Sequence, residues 1–306
     1  MRNKLISSLA GAAFSFAASG LAFAADMPVK APQAAPPPAP VYSWTGWYVG
    51  ANVGYGWGRS SNNWNFSALG DTGKPGDPFC EPNGFALCVS GSNSNALNGV
   101  IGGFQFGYNW QTSNVLVGLE TDFQFSGQNG NPSFSGGWVL SDGSAAPLTA
   151  TDKEKLLWLG TLRGRVGLIV NQWLVYTTGG LAYGRVTNDG SATLLGQSIG
   201  AGATPTPCPG AVGGVGGLCP LGSWSTGTTK AGWTVGAGAE GPVGGNWSWK
   251  VEYLFVDLGN INTAFPTNLG AFGSTSAIVG LSAGTGTISS KFTDNIVRVG
   301  LNYQFH

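Results

Sequence analysis

The stretch that decides the fold is the end of the chain, where residues 293–305 read TDNIVRVGLNYQF. From Val297 to Phe305 the odd positions carry Val, Val, Leu, Tyr and Phe, and the even positions between them carry Arg, Gly, Asn and Gln. An alternation with a period of two is typical of a β-strand that has one apolar and one polar face. A strand that spans a membrane has this pattern because lipid meets one face and the lumen of a closed barrel the other; it needs about 9 to 11 residues.

Seven earlier stretches show the same alternation. In the clearest, residues 47–58, Trp47, Val53 and Trp57 share one side, and glycines fill most of the other. In the fourth, residues 156–170, the pattern predicts that Leu156 and Trp158 face lipid. The remaining strands are predicted at 99–110, 115–125, 173–186, 231–240 and 247–257.

The connections between these eight segments run alternately long and short. Outer-membrane barrels have short periplasmic turns and long extracellular loops. We therefore predict an all-β fold, an eight-stranded antiparallel up-and-down transmembrane β-barrel, with both ends of the mature chain in the periplasm. The competing interpretation is a soluble β-sandwich or lipocalin-like barrel, whose apolar faces turn inward.

Composition favours the membrane interpretation. Only 9% of the residues are charged, against about 25% in typical soluble domains. No uninterrupted run of 18 apolar residues follows the N-terminus, which argues against a helical membrane protein. The 14 basic and 14 acidic residues give a net charge of zero, so no basic stripe points to nucleic acid.

The N-terminal residues predict export. Arg2 and Lys4 precede an apolar run that ends in Ala22-Phe23-Ala24, the pattern of a secretory signal peptide. We predict a signal peptide at 1–24, with cleavage after Ala25 or a retained anchor as alternatives. Residues 25–45 are a Pro/Ala-rich periplasmic tether or a Pro-rich ligand for a periplasmic partner, and 46–306 form the barrel.

Two segments carry a family resemblance. The run Pro28-Val29-Lys30-Ala31-Pro32, then WTGWYVGANVGYGWG at 44–58, and VRVGLNYQF at 297–305 resemble the outer-membrane surface-antigen (immunogenic, porin-like) β-barrel family of alphaproteobacteria. The resemblance covers the whole chain. It implies that Tyr303 and Phe305 are the signal read by the barrel assembly machinery. His306 departs from the usual terminal aromatic residue.

The polar faces of the predicted strands bring charges into the lumen. They are four acids and four bases, Glu120, Asp122, Glu240, Glu252, Arg163, Arg165, Lys250 and Arg298. Counting from the periplasmic strand ends places Glu120 level with Arg165, Asp122 level with Arg163, and Glu252 near Arg298. We predict an ion-pair network that fills the lumen, because charges out of water are tolerated when paired. The alternative is a selective pore with these charges as its filter.

Four cysteines lie in polar segments as two close pairs, Cys80 with Cys88 and Cys208 with Cys219. Four cysteines allow three connectivities, and spacing favours the two local disulfides in an oxidising compartment. Neither pair has the spacing and histidine partners of a zinc site.

These observations predict a structural outer-membrane barrel and surface antigen that contributes to envelope integrity. Its expected partners are outer-membrane lipid and lipopolysaccharide, without nucleic acid, metal or cofactor. Alternatives are a narrow porin-like channel for small solutes or ions, and an adhesin acting through the long loops. An enzyme is disfavoured because the single histidine, His306, lies at the predicted periplasmic end, away from any serine outside.

Overall fold

The computed structural model describes residues 42–70, 88–139, 145–195, 218–267, 272–274, 277–279 and 281–305. The predicted signal peptide and most of the predicted tether lie outside the described residues. Within the described part of the chain, no helix is long and apolar enough to cross a membrane.

Twelve β-strands make up the described chain. They are β1 (Gly46–Gly70), β2 (Cys88–Thr112), β3 (Val115–Ser126), β4 (Asn129–Gly130), β5 (Ser133–Val139), β6 (Ala145–Val170), β7 (Trp173–Leu195), β8 (Leu218–Gly244), β9 (Trp247–Thr267), β10 (Phe272–Ser274), β11 (Ala277–Val279) and β12 (Leu281–Phe305). β10 and β11 form a separate hairpin.

The large sheet closes on itself. Its antiparallel order is β1-β12-β9-β8-β7-β6-β3-β2, and β2 pairs again with β1. Beyond the end of β3, the short strands β4 and β5 take its place as partners of β6. Eight positions therefore surround the lumen, as the sequence predicts for the fold.

The predicted faces are confirmed for most strands. On β1, Trp47, Val53 and Trp57 are exposed, whereas Tyr48 and Asn52 between them are buried. On β12, Val299 and Leu301 are exposed, and Arg298 and Asn302 are buried. Apolar side chains thus cover the outside of the barrel, the arrangement that lipid requires.

Three tight turns join neighbouring strands at one end, which we call the periplasmic end because short turns lie there in outer-membrane barrels. They fall at 113–114, 171–172 and 245–246. Asn171 (φ 50°) and Gln172 (φ 74°) are both left-handed. Two positive φ angles in a two-residue loop match the right-handed twist of the flanking strands.

The strands are longer than predicted, and the segments predicted as loops are in part strand. β1 pairs with β12 as far as Gly70, and with β2 as far as Ser67. Serine, asparagine and threonine on the outer face concealed these extensions in the sequence. Their inward residues are large, as Trp64 and Phe66 show, so the wall continues well beyond the apolar outer band.

One predicted orientation is wrong. Leu156 is buried in the lumen, and Leu157 is exposed in its place. A β-bulge between Leu156 and Trp158 inserts one residue into β6. The extra residue of a bulge shifts the alternation by one position. Residues on one side of the bulge therefore face the opposite way from what a strict period of two predicts.

The residues just before β1 pack against the periplasmic end of the barrel. Trp44 is buried with Leu116, Leu174 and Tyr176. Its backbone N–H donates to Gln111 Oε1 at 2.8 Å. The barrel therefore includes residues that the sequence assigned to the tether.

Two adjacent glycines give a stability test. A Cβ at inward Gly103 would overlap the backbone carbonyl of Phe123, whereas one at Gly102 meets no atom closer than 3.4 Å. Gly103→Ala is expected to lower the unfolding free energy by about 1 to 3 kcal/mol, the usual cost of overpacking. Gly102→Ala, the matched control, should be near neutral in urea titrations of the detergent-folded protein. Equal effects of the two changes would contradict the assigned facing.

Candidate functional site

The lumen is filled with side chains and contains the candidate site. Its periplasmic half holds the eight charged residues predicted from the sequence, each at most 3% exposed. Four carboxylates face four bases, so this ionic network is neutral. Each base forms a salt bridge with at least one of the carboxylates.

Glu120 on β3 is the centre of the ionic network. Arg163 donates to one of its oxygens, and Lys250 Nζ lies 3.0 Å from Oε2. The Tyr48 hydroxyl donates to the same oxygen at 2.7 Å. A carboxylate with this many charged and polar donors is stable without water because its lost hydration is replaced.

Two arginines bridge the remaining acids on one side of the network. Arg163 Nη1 donates to Glu252 at 3.0 Å, and its Nη2 donates to Asp122 at 2.9 Å. Arg298 repeats this arrangement, with 2.7 Å from Nε to Glu252 and 2.8 Å from Nη2 to Asp122. The four groups therefore form a closed ring that ties β3, β6, β9 and β12 together.

Glu240 on β8 terminates the network toward the periplasm. Arg165 donates to it at 2.8 Å, and Ser248 and Asn302 each donate at 2.6 Å. Arg165 also lies over the Tyr176 ring, 4.1 Å from its centroid. The neutral partners were missed in the sequence analysis, although their inward parity was a signal that could have found them.

The registers predicted by counting are partly wrong. Glu120 is paired with Arg163, and Asp122 with Thr161, two residues away from the expected positions. Adjacent strands of a barrel are staggered by its shear, which counting from strand ends does not include. Arg298 is paired with Glu252, so these two lie near each other as expected.

Above the ionic network, toward the extracellular side, the lumen is apolar. Twelve buried residues from five strands form this apolar layer: Leu97, Ile101, Leu156, Leu159, Ala182, Val186, Leu254, Val256, Leu258, Ile261, Phe292 and Ile296. Gln128 donates to Asp294 at 2.9 Å within it. The sequence analysis assigned the inward faces as mostly polar and missed this second barrier.

A polar layer follows beyond the outer band of lipid-facing aromatic residues. Glu154 accepts a hydrogen bond from Ser60 at 3.0 Å, and Asp152 accepts one from the Trp224 indole at 2.9 Å. Burial raises the pKa of Asp152 to about 6 and the pKa of Glu154 to about 7. Both carboxyls lie on β6 beyond Trp158, outside the membrane-spanning segment.

Packed aromatic rings close the extracellular end of the described lumen. This aromatic cap consists of Trp64, Phe66, Phe134, Trp224 and Phe265. Trp224 stacks on Phe265 with ring centroids 4.3 Å apart, and Trp64 stacks on Phe134 at 6.0 Å. From the periplasm outward, charge, hydrocarbon, polar groups and aromatic rings therefore follow one another across the interior.

The described residues contain no cluster of three or more His, Cys, Asp or Glu side chains arranged to hold a metal ion. Cys80 and Cys208 lie outside the described residues, as does His306. The pairing of the cysteines therefore stays a prediction.

The closed antiparallel wall and the charged lumen place the chain among outer-membrane barrels, and comparison with known proteins gives its family. Residues 14–305 match the family model described as outer membrane protein beta-barrel domain. The chain belongs to this family, and its location is the outer membrane.

Two named relatives agree with this assignment. The chain is 38% identical to the 31 kDa outer-membrane immunogenic protein of Brucella melitensis biotype 1, over 97% of this chain and 98% of the relative. It is 26% identical to the 25 kDa outer-membrane immunogenic protein of Brucella abortus biovar 1, over 94% and 92%. The structure of OprG from Pseudomonas aeruginosa is similar at a TM-score of 0.40 and 11% identity, over 86% of this chain and 97% of that one.

The ionic network yields a prediction for stability. Arg298→Gln leaves Glu252 and Asp122 short of a partner inside the barrel, and breaking a buried pair in this way costs about 3 to 5 kcal/mol. The control Lys291→Gln removes an exposed lysine 3.8 Å from Asp257, for which about 0 to 1 kcal/mol is expected. Urea unfolding in detergent measures both variants, and an Arg298 variant as stable as the Lys291 control would refute the network's structural role.

Proposed function

We propose that this protein is a closed structural barrel of the outer membrane that presents surface-antigen loops and contributes to envelope integrity. The observation that carries the proposal is the filled lumen. An ionic network and an apolar layer lie in series, and the side chains of both are buried. The Brucella relatives are named immunogenic proteins, which supports the surface-antigen part.

The geometry supports a low conductance for two separate reasons. An eight-stranded barrel has an interior just wide enough for side chains to fill. Ions that enter the charged half then meet the apolar layer, where Gln128 and Asp294 are hydrogen-bonded to each other and a dehydrated ion carries a large desolvation cost. Loosening the ion pairs alone does not remove this second barrier.

Planar-bilayer recordings test the closed barrel. Neither the wild-type protein nor Arg163→Ala is expected to show stable conductance steps, because the apolar layer persists in both. The competing candidate is the narrow porin-like channel, which the many charges in the lumen favour. Stable steps in the wild type whose ion selectivity changes in Glu120→Ala would establish the channel and refute the closed barrel.

The same geometry supports a non-catalytic role. Glu120 and Asp122 lie two residues apart on β3, and Arg163 and Arg298 hold both in the ionic network. A general acid or base has to exchange protons with a substrate, and these groups are enclosed by their partners.

The lipid partner is supported by the distribution of outward-facing charge. In the described part of the chain the outward-facing bases are Arg59, Lys153, Lys155, Arg185 and Lys291. Arg59, Lys155 and Arg185 lie two or three residues beyond the outer aromatic residues Trp57, Trp158 and Tyr183. We propose that this basic belt binds the phosphates of lipopolysaccharide in the outer leaflet, since cations near a membrane surface attract anionic head groups.

Lys155 and Arg185 give the test of this basic belt. They lie diagonally across β6 and β7 and have no carboxylate in a described salt bridge. The double change Lys155→Gln with Arg185→Gln is expected to reduce the rise in Tm that lipopolysaccharide produces, with little change in neutral phosphatidylcholine. Asp189→Asn, which removes an acid from the same patch, should leave the rise intact or enlarge it. An unreduced rise in the double variant would exclude the patch.

Recognition by the barrel assembly machinery is supported by the position of the final strand. β12 pairs with β1 and closes the barrel. Tyr303 packs edge-on against Phe305, with ring centroids 5.1 Å apart, on the lipid side. We propose these two aromatic residues as the assembly signal.

A further inference from the structure

The polar layer between the apolar layer and the aromatic cap contains buried polar side chains that a closed barrel does not need. Five strands direct polar side chains into it: Ser60 and Asn62 from β1, Asn95 from β2, Asp152 and Glu154 from β6, Asn188 from β7, and Ser290 from β12. Asn95 is half-buried, and the other six are nearly enclosed, with Glu154 at 2% and Asp152 at 4%. We call this layer the polar chamber.

The charge of the polar chamber is unbalanced. Asp152 and Glu154 form no salt bridge with any described base, in contrast to the four carboxylates of the ionic network. The neighbouring bases Arg59, Lys153, Lys155 and Lys291 have the opposite parity and face outward, as does the acid Asp189. Lys230 on β8 has inward parity, but it pairs with Gly184 of β7. Glu154 pairs with Asn188, four residues further along β7 toward the extracellular side, so Lys230 lies below the polar chamber.

Several buried polar atoms of the polar chamber also lack a hydrogen-bond partner. They include Asp152 Oδ2, Glu154 Oε2 and the amide nitrogens of Asn95 and Asn188. Ser290 and Asn62 are adjacent in the pairing of β1 with β12, and their side chains lie beside the Glu154 carboxyl as hydrogen-bond donors. Unsatisfied groups are rare in native proteins, and here two of them are oxygens of carboxylates that have no base.

We propose that Asp152 and Glu154 bind a divalent cation of the hard, oxygen-seeking class, with Ca²⁺ as the fitting ion. Ca²⁺ takes carboxylate and amide oxygens at about 2.3 to 2.6 Å in flexible geometry. Residues two apart on one face of a strand have Cα atoms about 6.6 Å apart, so both carboxylates reach one ion between them. The oxygen of the buried Ser290 hydroxyl, beside Glu154, completes an all-oxygen set.

The bound cation would replace the positive charge that the polar chamber lacks. Without a cation, the carboxyls reduce the cost of burial by holding protons, consistent with the raised pKa of each. Cation and protons therefore compete for the same oxygens. Binding should weaken as the pH falls through about 7 and then 6.

Terbium luminescence tests the site, because Tb³⁺ follows Ca²⁺ chemistry and the Trp224 indole lies 2.9 Å from Asp152. The full detergent-folded protein, freed of divalent ions with a chelator, is titrated with Tb³⁺ under tryptophan excitation. We expect saturable emission with one ion per chain, displacement by Ca²⁺, and a Tm that rises with Ca²⁺.

Variants locate the ion. Glu154→Gln and Asp152→Asn are each expected to weaken Tb³⁺ affinity at least about tenfold, since affinity depends on ligand charge. The control Asp189→Asn also removes one carboxylate, at the same height but on the outer face of the wall. It should bind Tb³⁺ with the affinity of the wild type. Heat-modifiable gel migration checks that each variant is folded, and calorimetry with Ca²⁺ gives a readout independent of Trp224.

Three results would overturn the proposal. One is the absence of saturable Tb³⁺ emission together with no effect of Ca²⁺ on Tm at pH 7.5. Another is wild-type affinity in both folded chamber variants. The third is binding that does not change between pH 7.5 and pH 5, which would place the ion on exposed carboxylates.

Discussion

Closure of the sheet is the constraint on which the rest of this structure depends. Lipid offers no hydrogen-bond partner, so every backbone N–H and C=O within the membrane has to be satisfied by a neighbouring strand. β1 meets this requirement by pairing with β2 on one side and with β12 on the other. With eight positions around the wall, closure also fixes a narrow interior, and inward side chains from opposite strands are forced into contact.

That forced contact explains why the interior charges occur in equal numbers. An unpaired arginine in such a space would carry a desolvation penalty of several kcal/mol, so each base needs an acid within reach. Arg163 and Arg298 both contact Asp122 and Glu252, and this sharing lets one carboxylate neutralise bases on two strands. Inward glycines make the arrangement possible. At Gly54 a Cβ would overlap the Arg298 side chain.

The sequence predicts the features that follow from the period of two, and it fails for those set by the whole barrel. Facing, strand count and the set of lumen charges depend only on local alternation, so they could be predicted. The register of Glu120 with Arg163 depends on the shear of the closed wall, to which all strands contribute. Leu156 was misplaced because nothing in its neighbourhood marks a bulge. The apolar layer was missed because residues such as Leu254 and Ile296 alternate with other apolar residues, which leaves no contrast between the faces.

The polar extension above the membrane follows a different rule from the segment within it. Its outer face meets water and head groups, so serine, asparagine and lysine replace valine and leucine there. The apolar side chains of this extension face the inside of the barrel instead. Trp64, Phe66, Trp224 and Phe265 then form a core like that of a soluble barrel. Between this core and the membrane lies a short zone in which neither face of the wall is strongly apolar. Polar residues can face inward there, because neither lipid nor a hydrophobic core excludes them. Asp152 and Glu154 lie at this crossover, which is why two carboxylates without bases occur there, in addition to Asp294 in the apolar layer, which Gln128 holds.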